Sequence, residues 1–162
     1  MEKTTKTRLL DHALDLLGRQ GASALTVRAV EDAAGVPHGS VRHHFGDRSG
    51  LVRALFDHLA DREGAVAAST TEAFAHWLGP GRTLTLARYE LFLLAARDPT
   101  LRAPLVAARD RFVALAAERV GAEAAPAVVA ALDGLVLDAL VRGERDPDKL
   151  RAAATRLTTP PA

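Results

Sequence analysis

Leu25-Thr26-Val27-Arg28-Ala29-Val30-Glu31-Asp32-Ala33-Ala34-Gly35-Val36-Pro37-His38-Gly39-Ser40-Val41-Arg42-His43-His44-Phe45 carries two helix signals with a break between them. Thr26 offers the hydroxyl of an N-cap, and Val27, Val30 and Ala34 recur at the spacing of one buried helix face. Gly35 ends that short helix, because glycine takes the left-handed conformation of a helix stop at low cost. The chain restarts at Pro37, a residue favoured in a first helical turn, and runs through Val41 to Phe45 before Gly46 stops it. Each helix has room for only about two turns. Upstream, Leu10, Ala13, Leu14 and Leu17 form an i, i+3, i+4, i+7 stripe, and Gln20-Gly21 supplies a left-handed stop. Downstream, Asp47 is a good N-cap for a longer helix carrying Leu51, Val52, Leu55, Phe56 and Leu59.

The remainder reads the same way. Ala and Leu are abundant, β-branched alternation is missing, and Gly or Pro interrupts the apolar stretches at helix-length intervals, so the fold class is all-α. Breaks at 78–81, Asp98-Pro99, Pro104, Gly121 and 143–147 place further helices near 65–78, 83–97, 101–120, 126–142 and 147–157. The tail with Pro160 and Pro161 cannot continue a helix. No internal repeat is visible.

Composition narrows the functions open to such a chain. With 162 residues, 48% hydrophobic and 25% charged, it can bury a sizeable core in one or two units. The longest Pro-free apolar run, Leu91 to Ala96, falls far below the roughly 20 residues of a membrane span. The start Met1-Glu2-Lys3-Thr4 lacks the apolar region of a signal peptide, so a cytoplasmic protein with no membrane association is expected. The absence of Cys excludes disulfides, thiolate catalysis and cysteine-ligated zinc. No cofactor is expected, and no metal site, since His38, His43 and His44 lack i, i+4 spacing. Net charge is only +1, so an anionic partner would have to meet a local concentration of cationic groups. Five of the six His do fall within residues 1–65.

Two short helices around Gly35-Val36, braced by longer ones on either side, make the skeleton of a helix-turn-helix, whose second helix enters the DNA major groove. Val36, Val41 and Phe45 supply the inner face, leaving His38, Ser40, Arg42, His43 and His44 outward or on the flanks. Gly39 costs about 1 kcal/mol of helix propensity relative to Ala, which close approach of a DNA backbone would explain.

Leu25-Thr26-Val27-Arg28, Ala34-Gly35-Val36, Gly39-Ser40-Val41, His44-Phe45 and Arg48 to Leu51 together resemble the N-terminal signature of the TetR family, over roughly residues 7–59. The resemblance implies a dimeric regulator, usually a repressor, that binds a palindromic operator in double-stranded DNA. It also implies a domain division: residues 1–50, with the first turns of the fourth helix to about 59, for DNA, and 60–162 for regulation and dimerisation. By the same resemblance Thr26 and Arg28 stand where phosphate or base is touched, and His38, Ser40 and His43 face the groove. Arg42 stands where the family usually has Tyr, a phosphate contact, and Arg48 where Lys usually opens the fourth helix. Arginine could equally reach a guanine edge with two hydrogen bonds. The DNA-binding set is thus Thr26, Arg28, His38, Gly39, Ser40, Arg42, His43, His44 and Arg48. Protonation of His38, His43 or His44 beside phosphates would tighten binding below about pH 6.5. The plainer alternatives are solvated histidines and an Arg28–Asp32 pair on an exposed helix face.

In the C-terminal half Phe74, Trp77, Arg88, Tyr89, Phe92 and Phe112 are candidates to line a pocket for a small apolar or aromatic effector, though a plain bundle core uses the same residues. The helix from Pro126 to Val141 is apolar most of the way round and must bury more than one face, one of them against a second subunit. Leu150, Ala153, Ala154 and Leu157 add a small-residue stripe, and Asp133-Gly134-Leu135 resembles a recurring piece of the family's dimer seam. Ligand binding is expected to shift the fourth helix and spread the two reading heads. One alternative is a C-terminal half that binds a partner protein. An enzyme acting at Arg88 and Tyr89 is the weakest reading, since the sequence has no Gly-rich phosphate loop, HExxH or GxSxG and so offers no catalytic residues.

Overall fold

A computed structural model describes residues 4–64 and 70–158. Among these the helices run α1 (Thr5–Gln20), α2 (Val27–Ala34), α3 (Ser40–Phe45), α4 (Arg48–Gly64), α5 (Thr70–Leu78), α6 (Arg82–Arg97), α7 (Arg102–Val120), α8 (Ala125–Arg142) and α9 (Pro147–Thr158). Single 3₁₀ turns at Ala22–Ala24 and Pro99–Leu101 complete the order, and the described residues contain no strand: the fold is all-α. The stretch 65–69 of the expected fifth helix and the tail 159–162 lie outside the described residues.

Local chemistry sets the boundaries of the first helices. The Thr26 hydroxyl accepts from Ala29 N at 3.2 Å, and Asp47 Oδ1 accepts from Gly50 N at 2.7 Å. Each satisfies an amide that the helix start leaves without a partner. Gly35 closes α2 at φ 60°, ψ 43°, the left-handed stop expected of it. Gly21 also has positive φ, but its ψ of 179° extends the chain into the 3₁₀ turn instead of closing a left-handed stop. Pro104 does not break α7, because it lies in the first turn, where the missing N–H has no helical acceptor to lose.

The third helix differs from its expected form. It starts at Ser40, not Pro37, and Gly39 precedes it as the N-cap at φ 93°. Residues 37–39 instead form a turn closed by Ser40 N donating to Pro37 O at 3.2 Å. Gly39 lies before the helix, so it carries no cost of helix propensity; a Cβ there would meet nothing within 4 Å of the chain itself, and the φ of 93° is what favours glycine.

The chain divides into two compact units. The first comprises Met1–Asp61 and Thr83–Ala108. Its core is a continuous apolar set from α1 (Leu9, Leu14, Leu17), α2 (Val30), α3 (Val41), α4 (Leu51, Leu55, Phe56) and α6 (Ala87, Leu91). Each fully buried Leu or Phe contributes about 1.5–3 kcal/mol relative to exposure. At Gly18 the α1 and α6 backbones meet: a Cβ there would fall 2.0 Å from Thr83 O. The second unit comprises Arg62–Arg82 and Arg109–Ala162, with α5, α8 and α9 packed on one another around Phe74, Leu78, Val136, Leu140, Leu150 and Ala154.

Candidate nucleic-acid interface

Of the residues expected to meet DNA, Thr26, Arg28, His38, Gly39, Arg42, His43 and Arg48 are exposed, and Ser40 and His44 half-buried. They sit on α2, on α3 and its preceding turn, and at the start of α4, each held by a buried neighbour on the same element: Val30, Val41, Leu51. Phe45, expected wholly in the core, is half-buried at the end of α3, with Lys6 Nζ 5.9 Å from its ring centroid. That places a cation of α1 beside α3.

Several of these side chains are already engaged. Arg28 Nε faces Asp32 Oδ2 at 3.7 Å on the exposed side of α2, as the plainer alternative has it, yet its side chain is 84% exposed. The Ser40 hydroxyl donates back to Pro37 O. The rings of His43 and His44 meet edge to face at 4.8 Å. Arg48 donates through Nε to Leu25 O at 2.7 Å and through Nη2 to Ala22 O at 3.4 Å, tying the start of α4 to the segment before α2. A guanidinium carries five N–H donors, so this anchorage leaves others for a phosphate.

Three residues outside the expected DNA-binding set hold the arrangement together. Arg8 of α1 donates to Ala34 O and Gly35 O, capping the C-terminal end of α2 with a cation. Glu90 of α6 accepts from Ala22 N at 3.2 Å, the same residue whose carbonyl faces Arg48. Glu31 on α2 is only 2% exposed, and its Oε1 accepts from Val41 N at 2.8 Å and Gly39 N at 3.0 Å. The Val41 hydrogen bond above all, helped by His38 and Gly39, holds the Glu31 carboxyl below the usual carboxylate range despite its burial. No local sequence cue points to these three contacts, because the partners lie 7 to 68 residues away.

The expected effector residues fall in both units. In the first, Arg88 is buried with Nη2 3.4 Å from Tyr89 Oη, and Tyr89 meets Phe92 edge to face at 6.0 Å. In the second, Phe74 is fully buried and meets Trp77 edge to face at 5.8 Å, and Phe112 is half-buried. No group of three or more His, Asp or Glu among the described residues is placed to hold a metal. No single described helix is long and apolar enough to cross a membrane.

A short helix with cationic side chains outward, fixed to a second helix through a left-handed glycine and braced by α1 and α4, defines the class as a helix-turn-helix regulator. The chain belongs to the TetR family: the family model for "Bacterial regulatory proteins, tetR family" matches residues 9–55, and that for "Tetracyclin repressor-like, C-terminal domain" matches residues 60–160. The solved structure of a TetR-family member from Streptomyces coelicolor A3 (SCO1917) is similar at TM-score 0.82 and 31% identity, over 98% of this chain and 100% of that one. The multidrug binding protein EbrR, solved with ethidium, is similar at TM-score 0.79 and 30% identity, over 97% and 100%. The HTH-type transcriptional repressor KstR2 of Rhodococcus jostii (strain RHA1) is 36% identical over 74 residues, 43% of this chain and 36% of the repressor. The chain spans about a third of the length of the curated relatives it matches.

Proposed function

We propose that the chain acts as a homodimeric, sequence-specific repressor in which α3 reads the major groove of a palindromic operator and a small aromatic molecule releases it. The observation that carries this reading is the outward face of α3, where Arg42 and His43 stand exposed on a helix anchored to α2 through Glu31. Phosphate contacts fall to Thr26, Arg28, Arg42 and Arg48, with His38, Gly39, Ser40, His43 and His44 within or beside the groove. Dimerisation is supported by α8, where Ala127, Ala130, Gly134, Leu137 and Val141 form an exposed stripe at helical spacing. Leu137 is 42% exposed and Val141 78%, an apolar face that a second copy would cover. A two-fold dimer sets its reading helices about 34 Å apart, one turn of DNA.

For the effector, the EbrR complex with ethidium supports a flat aromatic molecule, and Phe74, Trp77, Arg88, Tyr89, Phe92 and Phe112 are the residues to test.

The deciding experiment is fluorescence anisotropy with the duplex upstream of the chain's own gene and a scrambled duplex of equal length, at two salt concentrations. Tight binding to the first alone, weakened by salt, is expected. Equal weak binding to both would overturn the reading for that DNA. Adding ethidium tests release: it should lower operator affinity in the wild-type chain and lose that effect in Trp77→Ala or Tyr89→Ala.

A further inference from the structure

We propose that Glu31 is the positioning residue of the reading helix: together with His38 it fixes where α3 begins and how α3 is angled on α2. The inference rests on the reading of α3 as the operator-contacting helix.

A helix of six residues has little intrinsic stability, since nucleation fixes several dihedrals before hydrogen bonds return much. Its first amides therefore need partners, and the usual one is a side chain at the N-cap. Gly39 occupies that position and has no side chain to offer, while its φ of 93° disfavours the Ser, Asp or Asn that could cap. The missing acceptor comes from another helix. Glu31 Oε1 receives both Gly39 N and Val41 N, and Ser40 N turns to Pro37 O. An N-cap within the same chain segment would stabilise α3 wherever α3 lay. A cap supplied eight and ten residues upstream, from α2, stabilises α3 in only one orientation.

The other carboxylate oxygen extends the clamp. Glu31 Oε2 lies 3.4 Å from His38 Nδ1, and His38 Nε2 lies 3.7 Å from Asp32 Oδ1. Both ring nitrogens of His38 thus face carboxylates of α2, so this residue steadies the turn into α3 before it can serve a base. A buried carboxylate is tolerated when it is hydrogen-bonded and placed at the positive end of a helix, and Glu31 has both. It also fills the amides at which a DNA phosphate could otherwise settle, leaving phosphate contacts to Thr26, Arg28, Arg42 and Arg48.

Orientation matters to base readout far more than to phosphate attraction. Loss of the clamp should therefore cost operator affinity and spare non-specific affinity. The full chain carrying Glu31→Ala, Glu31→Gln or the native residue is compared by anisotropy on operator and scrambled duplexes, and by amide hydrogen exchange without DNA. Glu31→Ala is expected to accelerate exchange at Gly39 and Val41 and weaken operator binding by about tenfold or more, with scrambled-duplex binding within about twofold. Glu31→Gln keeps an oxygen acceptor and should hold operator affinity within about threefold of wild type.

Operator binding by Glu31→Ala within that threefold margin, or an equal loss in both variants, would overturn the inference. Should Glu31→Ala not fold, exchange in Glu31→Gln decides: protection of Gly39 and Val41 kept supports the clamp, and protection lost rejects it. Wild-type protein that binds both duplexes equally removes the operator reading instead, and the exchange data then judge the clamp alone.

Discussion

In the first unit the segment between α1 and α2 is gripped from two sides: Glu90 of α6 takes Ala22 N, and Arg48 of α4 reaches Ala22 O and Leu25 O. Arg8 and Glu31 then fix the two ends of the turn into α3. In the second unit Arg109 reaches Asp133 and Arg82 reaches Leu140 O across long separations, but the pairs of Asp138 with Arg142, Glu144 with Lys149 and Asp148 with Arg151 join near neighbours, and α8 leaves Leu137 and Val141 outward. Polar contacts across long sequence separations specify orientation, because each works in one arrangement only. An exposed apolar stripe specifies little by itself and is completed by whatever covers it. The contrast is between a turn into α3 that is clamped within one chain and an apolar stripe on α8 that the proposed dimer would cover.

The strongest way to break that contrast is to charge the stripe. Leu137→Glu combined with Val141→Glu sets carboxylates against their own symmetry mates in a two-fold seam. The variant should be monomeric by light scattering and lose about 100-fold or more in operator affinity, since the two half-sites are no longer engaged together. A variant that stays dimeric with full affinity would place the seam elsewhere.

Glycines sharpen the comparison next. Ala at Gly18 would push its Cβ to 2.0 Å from the Thr83 carbonyl, where only backbone movement gives relief. Overpacking of this kind costs about 1–3 kcal/mol, which lowers Tm by roughly 2–4 °C per kcal/mol in a chain of this size. Ala at Gly134 of α8 meets nothing within 4 Å of its own chain, so in the monomeric background of Leu137→Glu with Val141→Glu it should leave Tm unchanged or raised. Thermal melts at one protein concentration compare the two. Equal drops would show α8 to be as tightly packed as the α1–α6 contact.

A smaller effect is expected at Arg42, exposed on α3. Arg42→Ala should weaken operator and scrambled duplexes alike and reduce the slope of log affinity against log salt by about one, as loss of one phosphate contact does. Arg42→Lys should restore most of the loss. A loss confined to the operator, with Lys failing to rescue, would make Arg42 a reader of guanine.

The limits of the sequence reading follow the same division between near and distant partners. The α1 stripe, the Thr26 and Asp47 caps and the Gly35 stop were legible because donor and acceptor, or the required φ, lie within a few residues. The start of α3 lies three residues beyond Pro37, since Pro37 has the φ of a first turn while the need for φ 93° at Gly39 appears only in the fold. Glu31 and Arg8 carry no local signal, and the polar cluster of Arg88, Tyr89, Glu90 and Arg97 does not point from Glu90 to the Ala22 amide. An acidic or basic residue on an amphipathic helix looks the same whether it faces solvent or a backbone amide of another segment. Lys6 beside Phe45 was hidden likewise, its cation being set against the ring by packing of α1 near α3.

The smallest effect tests whether the local contacts of the second unit are formed at all. Glu144, between α8 and α9, accepts from Lys149 Nζ at 2.6 Å and from the Asp146 and Arg145 amides. The Lys149 hydrogen bond first, then the two amides, lower its carboxyl from the ordinary 4.5 to about 2. A carboxyl depressed by folding stabilises the native state fully above its unfolded value, and that share is lost as pH falls towards the folded value. The same pair raises Lys149 above its ordinary 10.5, so its contribution is also lost at strongly alkaline pH and is flat between the two limits. Melts of wild type and Glu144→Gln should therefore differ by a constant offset through neutral pH and converge between pH 4.5 and about 2. The offset is small because Lys149 is largely exposed and surface pairs are screened. Curves that overlay at every pH would mean the α8–α9 connection is not held by Glu144, and would leave the apolar packing of α5, α8 and α9 as what positions α9.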